Sequence, residues 1–329
     1  MATPTNRDGL RVAQPVPAPR AEVVPRPAPR AARSRERMRL VAGAFGLMAP
    51  ALLTLLAVSL YPVLRSLWLS FRDTTLALQT DSFTGLKNYR LLWSDEQFWN
   101  AWRQTVGFTV ASTLLETLIG LGIALVLAAS FRGRGLVRAA VLIPWAIPTV
   151  VTSRMFGWLF DGQNGVVNYL LVRLHLVSHN VNFLGSTNLA LPTIVLADVW
   201  KTAPFMALLI LAGLQTIPHS YTEAGRVDGA SAWRIFWSIK LPMLMPSLLI
   251  AALLRALDAF RIFDLPYVLT GGGPADSTET LSTLAYKRLF SGLEIGYGSA
   301  LSTAMFISEG LIAIGFALFI FRRLRALEG

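Results

Sequence analysis

Near the end of a long apolar run stands the segment RALDAFRIFD, in which Arg255, Asp258, Arg261 and Asp264 alternate in sign at a spacing of three. Side chains three apart on a helix are neighbours and can pair. The series therefore reads either as a self-neutralising structural ladder or as the polar wall of a path through the chain. A second charged pair, Asp198 and Lys201 in DVWKTAPF, interrupts another apolar run. Ionisable groups in such surroundings are costly and face a cavity or a partner. Carboxylates and guanidinium groups take up paired hydroxyls, while an aromatic ring stacks on the apolar face of a sugar. Glu116 and Glu309 stand alone in their runs and read as hydrogen bonders between helices, with no partner visible in their own segments.

Other candidate chemistry is weaker. His175 and His179, four apart in HLVSH, would share a helix face and hold zinc, but no third ligand accompanies them, so they read as part of a solvated loop. Gly271-Gly272-Gly273-Pro274 lacks the lysine and the preceding strand of a phosphate cradle and reads as an external turn. No G-x-x-x-x-G-K-[ST] motif occurs, and cysteine is absent, so neither ATP binding by this chain nor a thiolate metal site is expected. No catalytic constellation remains, and the chain does not read as an enzyme.

The elements that carry these residues are set by hydropathy. Of 329 residues, 53% are hydrophobic and 15% charged, and the mean hydropathy is +0.51. This is the balance of a polytopic membrane protein. Residues 1–38, rich in Pro, Ala and Arg, have little to bury and read as a disordered tail. Residues 39–325 then hold six apolar runs of spanning length, all helical: 40–64, about 104–131, 139–160, 189–217, 241–269 and 299–321. The net charge of +11 belongs to the flanks of these runs. With the N-terminus in the cytoplasm, thirteen bases fall inside, from Arg33 to Arg39, Arg132 to Arg138, Arg226 to Lys240 and Arg322 to Arg325, against eight outside. The excess of inside bases places both termini in the cytoplasm.

One inside loop is long and patterned. Ser220 and Glu223 have the spacing of a capping box, Gly229 ends a first short helix, and ASAWRIFWSI forms a second, with Trp233, Phe236 and Trp237 at the membrane surface. Glu223-Ala224-Gly225, then Gly229, then Ile239-x-Leu241-Pro242 resembles the EAA loop of permease subunits of ATP-binding-cassette importers, with Gly225 where that family usually has alanine. FRIFDLPYVLTGGGPADSTETL, FTGLKNYRLL and LIPWAIPTVV resemble the carbohydrate-uptake branch of the family, the maltose and glycerol-phosphate type. The likeness covers residues 40–325 and extends to the permeases of actinobacterial disaccharide systems such as those for trehalose.

The resemblance implies the importer permease fold, a six-span cell-membrane subunit paired with a second permease subunit, two ATP-binding subunits and an extracytoplasmic sugar-binding protein. ATP and Mg2+ would be held by the ATPase subunits and no cofactor by this chain. Glu223, Ala224, Gly225, Asp228, Gly229 and Arg234 would then form the coupling helix that meets the ATPase. Asp198, Lys201, Thr202, Phe205, Arg255 and Ala259 stand where the maltose-type permease presents its membrane sugar site, with Asp258 and Arg261 continuing the charged series. Two other functions remain open at this level: an ion-driven secondary sugar transporter, and an importer permease for a phosphorylated polyol that would use Lys201, Arg255 and Arg261.

Overall fold

The computed structural model describes residues 43 and 46–328, with side chains as far as Arg322. The segment 1–38, expected to be disordered, lies outside the described residues. Two units are recognised, one ending at Tyr61 and the other beginning at Pro62. The described part of the first is the N-terminal portion of helix α1 (Gly46–Ser70), whose mean hydropathy of 2.0 suits a span.

In the second unit an antiparallel hairpin follows, β1 (Arg72–Thr75) with β2 (Thr80–Phe83), Arg72 facing Phe83 and Thr75 facing Thr80. Helix α2 (Lys87–Ser94) leads into the long span α3 (Glu96–Ala128), where Asp95 Oδ1 accepts from the Gln97 amide at 2.9 Å and caps the start. Helices α4 (Arg134–Ala146) and α5 (Thr149–Leu159) come next, then α6 (Val166–Arg173) and the span α7 (Ala190–Gln215). Two short helices, α8 (His219–Val227) and α9 (Ala232–Ile235), precede a π-helical turn (Phe236–Lys240) that runs into the span α10 (Leu241–Phe260). Helices α11 (Asp264–Leu269), α12 (Leu281–Tyr286) and the span α13 (Ile295–Glu328) complete the chain.

Among the described residues five helices are long and apolar enough to cross a membrane, and a sixth crossing arises if α4 and α5 count as one. The run 139–160, read as one span, is a broken one: α4 and α5 meet at 87°. The cause is local. Pro148 has no amide hydrogen and pushes the residue before it out of the helical region, and Ile147 accordingly adopts φ −72°, ψ 131°. The fifth run also differs, because regular helix stops at Phe260 and resumes only at Asp264.

Helix α7 is the most buried of these spans and packs on α3, α4 and α10. Small residues permit this. A Cβ at Gly120 of α3 would lie 3.0 Å from Met206 Cγ and 3.1 Å from the Ala207 amide nitrogen, and Gly213 of α7 lies as closely against Leu244 and Ser247 of α10. Ala124, Ala203 and Ala207 are buried in the same region. In a bilayer the gain from such crossings is close backbone packing, since lipid is as apolar as the side chains it replaces.

Candidate functional site

Three spans converge on one guanidinium group. Arg255 of α10 is buried, and its Nε and Nη2 bind the Glu116 carboxylate of α3, the latter at 3.0 Å from Oε1. Nη2 also binds Asp198 of α7, and Nη1 reaches Asp258 one turn along its own helix at 3.0 Å. Thr202 adds its hydroxyl, in contact with Glu116 Oε1 and 2.6 Å from the carbonyl of Asp198. Arginine suits this place because its donors form a rigid fork that meets several carboxylate oxygens at once. Glu116 and Asp198 are buried with it, whereas Asp258 is 70% exposed.

Glu116 and Glu309, alone in their own runs, find partners on other helices, as expected of residues that bond between helices: Glu116 holds Arg255, and Glu309 Oε1 lies 3.4 Å from Arg261 Nε. The partners are 139 residues apart in the first case, so no local pattern shows them; the signal was the carboxylate itself, since a buried charge in a span must find a counter-charge. The charged series is not one ladder. Only its first pair, Arg255 with Asp258, forms along the helix, because α10 ends before Arg261, which turns to α13 instead.

Lys201 and Phe205 lie on α7 beside the broken helix. Lys201 Nζ donates to the Trp145 carbonyl at 3.3 Å, and the Trp145 and Phe205 rings stack at 5.2 Å with planes 10° apart. Sequence reasoning missed Trp145; the signal was Pro144 and Pro148 on either side of it, which were read as tolerated within one span. His175 and His179 fall in the irregular segment between α6 and α7 and share no helix face. No group of three potential metal ligands occurs among the described residues.

The second candidate region is the loop His219–Lys240. Its first helix starts without the expected capping box: no side chain caps α8, and Thr222 instead bonds back to the His219 carbonyl at 2.8 Å. Pro218, extended at φ −61°, ψ 134°, precedes the first turn, so the start is set by the backbone. The helix closes through Gly229 at φ +75°, with the Ala230 amide bonded to the Gly225 carbonyl at 2.9 Å and the Gly229 amide to Arg226 at 3.0 Å. These paired bonds need a left-handed residue, which glycine supplies without strain. Helix α9 is capped by Ser231, whose Oγ accepts from the Arg234 amide at 3.3 Å.

The two helices fold against each other through Gly225, the one buried residue of α8. A Cβ there would lie 3.0 Å from Ile239 Cδ1 and 3.4 Å from Ile235 Cγ1. The glycine is thus a contact point between the two helices. Glu223, Ala224, Asp228, Gly229 and Arg234 all face outward, together with Val227 and an edge-to-face pair, Trp233 with Trp237. A compact helical hairpin that exposes both charged and apolar groups is suited to binding another protein, and it contains no arrangement for bond chemistry.

Residues 117–327 match the family described as binding-protein-dependent transport system inner membrane component. The trehalose transport system permease protein SugA of Mycobacterium tuberculosis is 42% identical over 285 residues, covering 86% of this chain and 90% of that protein. The trehalose/maltose transport system permease protein MalF of Thermococcus litoralis is 42% identical over 261 residues, covering 79% and 88%. In fold, a crystal structure of a bacterial ABC transporter involved in the import of the acidic polysaccharide alginate superposes with a TM-score of 0.73, at 22% identity, over 90% of this chain and all of the matched one. With a match over most of its spans and the helical hairpin between α7 and α10, the chain belongs to the binding-protein-dependent transport system inner membrane components, the permease subunits of ATP-binding-cassette importers.

Proposed function

We propose that this permease serves the uptake of a sugar of disaccharide size, and that it forms half of the translocation path beside a second, similar permease subunit. Two ATPase subunits would bind ATP and Mg2+ and meet the outward-facing residues Glu223, Ala224, Asp228, Gly229 and Arg234 of the hairpin, which Gly225 keeps compact. Closure of the ATPases would move the hairpin as a rigid body, and α7 and α10, which it joins, would follow. An extracytoplasmic binding protein would deliver the sugar. Both termini lie in the cytoplasm in this reading, because the basic residues cluster on that side.

The observation that carries the proposal is the hairpin: a stiff, internally packed unit with its charged and aromatic groups turned outward, placed between two spans that share the Arg255 cluster. The relatives named for trehalose and maltose support the sugar class. The ion-driven alternative falls with membership of the family. The phosphorylated-polyol alternative loses its main base, since Arg255 is already engaged by Glu116 and Asp198.

Affinity purification of the tagged chain in mild detergent, followed by mass spectrometry, tests the assembly. The expected companions are a Walker-motif ATPase and a second permease with its own EAA loop, and vanadate should stop sugar uptake. Recovery of this chain alone, still active in uptake, would overturn the proposal.

A further inference from the structure

The broken span carries a charge that neither the Arg255 cluster nor the hairpin uses. Arg154 stands in the middle of α5, in TVVTSRMFGWL. This helix has two unlike faces. Thr152, Ser153, Phe156 and, just past its end, Phe160 are buried, the two rings in one core with Ile194 and Val199 of α7 and Leu265 of α11. Val150, Val151, Arg154 and Trp158 are exposed, Trp158 at 79%. Spacings of three and four residues set these four along one side of the helix.

The depth of Arg154 follows from Phe156, two residues on. The Phe156 ring lies 5.6 Å from that of Trp200, and Trp200 is about 15 Å along α7 from its first residue, at a rise of about 1.5 Å per residue. Helix α5 therefore lies beside the body of a span. Yet Arg154 makes no hydrogen bond and no ion pair among the described residues. A guanidinium at such a depth faces a partner or water, because the hydrocarbon of lipid offers it no acceptor. The rest of its face, two valines and a tryptophan ring, gives standing water little to bond to. An apolar face around one unpaired cation is the complement of a protein surface with one carboxylate among apolar side chains. Tryptophan and arginine are also the residue types that anchor such contacts. Of the companions proposed above, the ATPases and the binding protein lie outside the membrane, and the second permease alone has spans at this level.

We infer that the α5 face formed by Val150, Val151, Arg154 and Trp158 is a contact surface for the second permease subunit, and that this subunit presents a carboxylate from one of its own spans to Arg154. Trp158 seats against apolar side chains beside that ion pair. The break before α5 serves the contact, because α5 leaves the line of α4 at 87° and keeps one side free of the chain's own helices. The inference rests on the two-permease assembly proposed above and names a place where its halves meet.

The test purifies the tagged full-length chain in mild detergent after co-expression with the second permease, the ATPase and the binding protein. Arg154→Glu should lower the second permease recovered per tagged chain by roughly tenfold or more, the scale of a desolvated interfacial charge pair turned against itself. The tagged chain itself should be recovered in wild-type amount, because Arg154 has no partner among its described residues. Arg154→Lys should keep most of the recovery, and Trp158→Ala should lower it less than Arg154→Glu does. Lysine placed in turn at each carboxylate in the spans of the second permease should, at one position, restore recovery with Arg154→Glu; no restoration at any of them would overturn the carboxylate assignment. Undiminished recovery in Arg154→Glu would overturn the contact surface: with normal uptake the arginine faces lipid, and with uptake lost it lines the path. Loss of the tagged chain in Arg154→Glu and Arg154→Leu alike would assign the residue to the folding of this chain and overturn it too. A wild-type chain that brings down no second permease would refute the assembly itself, and that failure is seen without any variant.

Discussion

Arg255 of α10 and Glu116 of α3 form a two-pronged ion pair, Nε to Oε2 and Nη2 to Oε1, across 139 residues of sequence. The same guanidinium binds Asp198 of α7, so one side chain ties three spans together. Such a knot is a poor source of net stability but a strong determinant of arrangement, because removing one partner strands the others without counter-charge.

Arg255→Ala should therefore destabilise the assembled complex by about 3–5 kcal/mol, the cost of leaving buried carboxylates unpaired. Asp258→Ala, which removes a mostly exposed carboxylate, should cost no more than about 1 kcal/mol while still lowering uptake. Thermal denaturation of the detergent-solubilised complex, followed by fluorescence-detected size exclusion, separates the two. Equal loss of folded complex in both variants would contradict the division between a buried knot and an open carboxylate.

The α3–α7 crossing makes a second prediction. Gly120→Ala places a Cβ against backbone at Ala207 and against Met206, where little can give, and overpacking of this kind costs about 1–3 kcal/mol. Gly122, with nothing within 4 Å of its Cβ position, is the control: Gly122→Ala should leave the denaturation midpoint unchanged or slightly raised.

In the hairpin His219–Lys240 the two glycines should respond differently. Gly229 has open space around it but φ +75°, so Gly229→Asn should retain most ATPase coupling, while the β-branched Gly229→Ile, at a cost of about 1–2 kcal/mol or more for that conformation, should uncouple ATP hydrolysis from uptake. Gly225→Ala meets only the flexible ends of isoleucines and should be tolerated; Gly225→Leu should part the helices and abolish association with the ATPase. Co-purification of the ATPase with each variant reads out both.

Arg261 and Glu309 join α13 to the end of α10 at 3.4 Å, with Arg261 58% exposed and Glu309 16%. Arg261→Ala leaves the more buried carboxylate without its counter-charge and should harm complex stability more than Glu309→Gln does. The double variant should recover toward Glu309→Gln, because the stranded charge is gone. Additive loss in the double variant would show that the two residues do not interact.

How much of this could be read from the chain depends on the range of the forces involved. The spans and the hairpin with its Gly229 turn were legible, because hydropathy, the spacing Glu223–Gly229–Pro242 and turn-forming residues act locally. The capping box at Ser220 was not formed, although its residues are present, since the extended backbone at Pro218 already sets the helix start. The charged residues of the spans could be recognised as significant from their cost in lipid, but their partners could not be identified. Asp258 met its expected neighbour on the same helix, whereas Arg261 was lost to Glu309 once α10 ended at Phe260. Glu116 acquired its place only through the crossings of α3 with α10 and α7, and Trp145 through that of α4 with α7. The sequence by itself determined which segments enter the membrane and which loop leaves it, because burial and backbone propensity are properties of a few consecutive residues. Only the tertiary structure decided which charge neutralises which, because ion pairing in a low-dielectric interior selects by distance between helices, and that distance is set by the small residues at crossings far apart in the chain.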